Sequence, residues 1–143
     1  MNRFVFQTAI ALSFASLAAC SHWTWSWDPG DAVVELTGSD EVPPVRSEGS
    51  GGGKFTVSEE GLLRGSVTTK DVPGTMAHIH YGTNRENGPV VLSLDKKGDT
   101  YRVPQGTRLA PEHVKAFKDG MLYVNVHSEQ YKTGEVRGQL RQQ

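Results

Sequence analysis

The chain has 143 residues, 36% of them hydrophobic and 22% charged, with a formal net charge of −1. That balance lacks the basic excess of a nucleic-acid binder, and a single cysteine excludes an internal disulfide framework. The length suits one domain.

The first nineteen residues differ from the rest and read as a targeting segment. Arg3 supplies a positive start, Phe4 to Ala18 is mostly apolar, and Leu17-Ala18-Ala19-Cys20 places small residues before a cysteine. That tetrapeptide resembles a bacterial lipobox, which implies cleavage before Cys20, acylation of its sulfur and a lipid anchor in the cell envelope. The anchored protein would face the periplasm or the cell surface. Buried acyl methylenes contribute about 0.8 kcal/mol each, so several chains hold such a protein firmly. The alternative is an ordinary signal peptide with a stray cysteine. Removing Arg3 with the segment leaves 14 basic against 16 acidic residues.

Residues 20–32 are expected to be the lipidated cysteine and a tether. They carry His22 and all three tryptophans, Trp23, Trp25 and Trp27, whose alternation puts the indoles on one face of an extended chain. Such a face covers the domain or sits at the headgroup level, and the sharper alternative is an aromatic platform for a partner.

From residue 33 to 143 the pattern is all-β, of sandwich type: short apolar or alternating stretches separated by Gly, Pro and Asp clusters. The eight expected strands are Val33–Thr37, Lys54–Val57, Leu62–Thr69, Met76–Tyr81, Val90–Leu94, Tyr101–Val103, Leu122–His127 and Glu135–Leu140. The stretch SEGSGGG at 47–53 is too rich in Gly and Ser for a core strand and is expected to be a flexible loop. Asn87-Gly88-Pro89 reads as a turn. PEHVKAFKDG at 111–120 is the one helix candidate, with Pro at a first helical position, Val114 and Phe117 three apart and a closing Gly. His113 lies in it and is expected to be exposed.

In the strand Met76–Tyr81, residues two apart share a face, so Met76, His78 and His80 point one way and Ala77, Ile79 and Tyr81 the other. Two imidazoles so placed can turn toward one ion, but two ligands do not bind tightly. In Leu122–His127 the alternation turns Val124 and Val126 to the core and His127 outward or into a cleft, where it becomes a candidate third ligand if the strands adjoin. Asn125 and Glu129 are candidate orienting partners for an imidazole. Glu135 and Arg137 share a face and read as structural, paired with each other or with Asp and Arg groups nearby.

Val42-Pro43-Pro44-Val45 after Leu36-Thr37-Gly38, then AHIHYG at 77–82, NGPVV at 87–91, LYVNVHSE at 122–129 and GEVRGQL at 134–140 together resemble a CHRD domain. The resemblance runs from about Val33 to Arg141. It implies a secreted, immunoglobulin-like Greek-key β-sandwich with no general enzymatic activity. A second, local similarity is to the copper site of Cu/Zn superoxide dismutase, which also takes His-x-His from one strand and a Val-His from a late one. By that similarity His78, His80 and His127 would be copper ligands. Residues 81–112 hold no histidine to serve as the dismutase's bridging or zinc ligands, so a two-metal site is not expected.

Imidazoles suit copper, zinc and nickel alike, while a thioether at Met76 would favour Cu(I). The reading is therefore a lipid-anchored envelope protein that binds copper through His78, His80 and His127, with Met76 as a weaker fourth candidate and zinc as the second choice of metal. Copper storage, buffering or delivery follows, with no enzymatic activity expected. The alternatives are a metal-free module that binds an envelope protein, and a copper-dependent redox enzyme of dismutase type.

Overall fold

A computed structural model describes residues 31–143, so the targeting segment, Cys20, His22 and the three tryptophans lie outside the described residues. In chain order the strands are β1 (Asp31–Thr37), β2 (Ser50–Val57), β3 (Leu63–Lys70), β4 (Gly74–Tyr81), β5 (Val90–Ser93), β6 (Asp95–Lys97) and β7 (Thr100–Arg102). The helix α1 (Pro111–Lys118) precedes β8 (Leu122–Ser128), β9 (Val136–Gln139) and β10 (Arg141–Gln142), and a 3-10 turn (Gly38–Asp40) follows β1. The all-β class is as expected, with β6 and β10 added to the eight strands read from the sequence.

All pairings are antiparallel, in the order β5-β4-β8-β9-β1-β2-β3-β7-β6, with β10 also on β1. The two ends of this sheet meet near Leu94, between β5 and β6, whose N–H donates to the Ala77 carbonyl at 2.9 Å. The sheet is thus nearly closed into a barrel-like sandwich. Alternation fills its interior with Val34 and Leu36 of β1, Phe55 of β2, Val67 of β3, Ile79 of β4, Val124 and Val126 of β8 and Val136 of β9. At about 25 cal/mol per Å2 of apolar surface removed from water, such side chains each contribute roughly 1.5–3 kcal/mol. Helix α1 starts on Pro111, whose missing N–H costs nothing there, and buries Ala116 and Phe117.

One strand expectation is overturned. Ser50–Gly53, assigned to a flexible loop, is the first half of β2, paired to β1 on one side and β3 on the other. At Gly51 and Gly53 the neighbouring backbone leaves no room: a Cβ on Gly51 would stand 2.9 Å from the Thr68 carbonyl oxygen, and one on Gly53 2.0 Å from that of Ser66 and 2.7 Å from the Val67 Cα. A Gly/Ser run marks a flexible chain only where nothing packs against it.

The strand β8 is buried along its whole length, on both faces. Its outer face is covered by three loops, residues 41–49, 82–89 and 129–134. Asn87 Nδ2 donates to the Val42 carbonyl at 2.7 Å, and the Tyr131 hydroxyl to the Arg46 carbonyl at 3.0 Å, so the loops hold one another.

Candidate metal centre

The pairing of β4 with β8 sets Met76 opposite His127, His78 opposite Asn125 and His80 opposite Tyr123. The adjacency that the sequence left open is therefore present. Cross-strand neighbours on one face have Cβ atoms about 4.5–5.5 Å apart, close enough for three imidazoles to converge. One ring nitrogen from each of His78, His80 and His127 lies within 4.8 Å of the other two.

Backbone carbonyls fix two of the rings. His80 Nδ1 lies 2.9 Å from the Gly88 carbonyl oxygen and His127 Nδ1 lies 3.0 Å from that of Lys132. A carbonyl only accepts, so each Nδ1 carries the proton and each Nε2 presents a lone pair. The His80 Nε2 is buried without a hydrogen-bond partner. The His127 Nε2 is 3.0 Å from His78 Nδ1, which donates to it. Two nitrogens at that separation, each about 2.0 Å from an ion, subtend roughly 97°, a normal angle at copper or zinc.

A buried lone pair with no donor is costly, commonly by about 1–3 kcal/mol, unless something fills it. The orphaned Nε2 of His80, on a ring clustered with two further imidazoles, fits a metal ion, and the set offers three neutral nitrogen donors. His80 and His127 are 9% and 8% exposed, while His78 is more open. Burial lowers the pKa of all three below the ordinary imidazole value, and the neighbouring histidines lower His78 further. In His80 the Gly88 hydrogen bond opposes burial, while His127 and Arg137 add to it. The donors are thus kept neutral and ready for a cation.

Met76 is half exposed and stands on the histidine face at the rim, opposite His127. The orienting groups for His80 and His127 are the two carbonyls. Asn125 donates instead to Glu41 Oε2 at 3.3 Å, and Glu129 is exposed. Nor do Glu135 and Arg137 form an ion pair: Glu135 accepts from Ser47 Oγ at 2.8 Å, and Arg137 turns to the 82–89 loop. Carbonyl acceptors on irregular loops leave no residue-type signal, so sequence patterns could not supply them.

The motifs around the histidines have concrete tasks. Tyr123 stacks on His80, with centroids 4.9 Å apart and planes at 9°, and its hydroxyl accepts from the Gly88 N–H at 3.0 Å. Gly88 has no room for a side chain, since a Cβ there would lie 1.6 Å from the Tyr81 carbonyl oxygen. Arg137 donates to Asn87 Oδ1, Thr83 O and Glu86 O at 3.0, 2.6 and 2.8 Å, holding the loop that carries Gly88. The AHIHYG, NGPVV, LYVNVH and GEVRG segments thus build one site. All four segments fall within residues 32–140, which match the model of the CHRD domain family.

The chain belongs to the CHRD domain family. No curated protein and no solved structure matches it. The CHRD domain also has a cleft of about 530 Å3, lined by Asp31, Glu59, Glu60, Arg64, Arg108 and Lys118 among others, to which none of the three histidines contributes. His113, on α1, is half buried and apart from the cluster.

Proposed function

We propose that this CHRD domain binds one copper ion through His78, His80 and His127, and that the protein stores, buffers or delivers copper at the cell envelope, held there by a lipid on Cys20. The observation that carries the copper reading is the buried, unpartnered His80 Nε2 on a ring that clusters with two other imidazoles, its tautomer fixed by the Gly88 carbonyl. Copper is favoured over zinc by its higher place in the usual affinity order and by Met76 at the rim. A bound ion would supply positive charge at the convergence point. The chain's own contribution is to keep the three nitrogens neutral, oriented and largely shielded from water. The anchor reading rests on the sequence around Cys20.

Elemental analysis of protein purified from its native envelope tests this, together with X-ray absorption at the metal edge. The expected result is one copper per chain with three nitrogen neighbours at about 2.0 Å. Stoichiometric zinc would move the assignment to the second metal. Protein carrying no metal, and taking none up, would leave a metal-free binding module as the better reading.

A further inference from the structure

Arg137 is one of the largest fully buried side chains, 1% exposed. Its three hydrogen-bond acceptors are neutral, and no carboxylate lies within ion-pair distance of it among the described residues. Its guanidinium carbon sits 3.5 Å from the centroid of the Tyr123 ring, and that ring stacks on His80. Because β8 lies between β4 and β9, the phenol stands between the buried cation and the copper ligand.

We infer that Arg137 sets the oxidation state in which the site holds copper, favouring Cu(I) over Cu(II); this rests on the copper reading above. Three neutral imidazoles cancel none of the ion's charge. Repulsion from the fixed guanidinium scales with that charge, so it acts twice as strongly on Cu(II) as on Cu(I), in surroundings that screen it poorly. The redox step is the transfer of one electron from an external reductant to Cu(II), with no ligand lost and no proton moved.

Glu41 supplies an independent check. It is buried, and burial raises its carboxyl to about 7 while Arg137 pulls it down. Above that pH its negative charge partly offsets Arg137. The titratable and charged groups around this region are Glu41, Arg137, Asp40, the three histidines and Tyr123, with Glu35 and Arg141 lining the same cleft as Arg137.

Competition against a chromophoric Cu(I) chelator and a Cu(II) chelator, run on the whole chain, gives both affinities and hence their ratio. In Arg137→Met, which keeps an apolar stem and loses the charge, the Cu(I)-to-Cu(II) affinity ratio is expected to fall at least tenfold, equivalent to ~59 mV in a one-electron potential. In Glu41→Gln at pH 8, which removes the carboxylate charge and leaves Arg137 in place, the ratio is expected to rise severalfold; Arg137→Gln, which loses the charge but keeps a polar end for the loop, replaces Arg137→Met if that variant does not fold. Copper binding with a ratio unchanged in Glu41→Gln, or in folded Arg137→Met, overturns the inference and leaves the copper site standing. Failure of the natural chain to bind either ion overturns both.

Discussion

His78 Nδ1 and His127 Nε2 lie 3.0 Å apart, and because His127 gives its own Nδ1 proton to the Lys132 carbonyl, the proton between the two rings belongs to His78. A metal must displace that proton from Nδ1, which His78 can do by carrying it on Nε2 instead. The donor set stays neutral throughout.

Metal affinity should accordingly persist below the pH at which free imidazole protonates. The three histidines have folded-state pKa values below 6.5, so affinity is expected to hold through pH 6.5 and fall only at lower pH. The sign for folding follows from the same shifts. Below 6.5 the unfolded chain binds protons that the folded chain refuses, so this contribution is complete above 6.5 and is lost as pH falls toward the folded values. Copper titrations between pH 5 and 8 check it; a midpoint at or above 6.5 would contradict the burial argument.

Glu41 has the opposite slope. Its carboxyl is raised from 4.5 to about 7, mainly by burial, so the folded chain holds a proton that the unfolded chain releases. Its contribution is complete below 4.5 and is lost as pH rises through 7. Glu41→Gln should therefore gain stability over the natural chain on going from pH 5 to pH 8, read from urea midpoints. An equal difference at both pH values would contradict this.

Gly88→Ala tests the carbonyl that fixes His80. The new methyl would meet the Tyr81 carbonyl oxygen, forcing the loop to shift. Overpacking of this kind costs about 1–3 kcal/mol. Loss of an orienting partner lowers metal affinity by about 10–100-fold. Both should appear together, in thermal unfolding and in copper competition, although every histidine remains; unaltered affinity in a folded variant would remove Gly88 from the site.

The sequence made the strands of the core legible because Val34, Leu36, Val124 and Val126 alternate with polar residues, and a period of two is a strong signal where one face is buried. It failed at Ser50–Gly53, where close strand packing rather than composition decides the structure. The amides of Phe55 and Val57 and of the glycines before them should share the slow hydrogen exchange of a central strand; rapid exchange at Gly51–Gly53 would restore the flexible loop. At the site, three ligands were readable from His-x-His and the late Val-His, but their environment was not. Alternation on β8 says that His127 leaves the core side, yet not that loops bury the outer side as well. Likewise GEVRG suggested a local pair, whereas Arg137 reaches across to residues 83–87, a contact made by loops distant in sequence.

The most direct test of the central claim is a copper titration of the chain alongside a His78→Ala/His80→Ala variant, with circular dichroism to show that both are folded. One tight equivalent is predicted for the natural chain, weakened at least 100-fold in the variant. Equal stoichiometry and affinity in the two proteins would contradict the site.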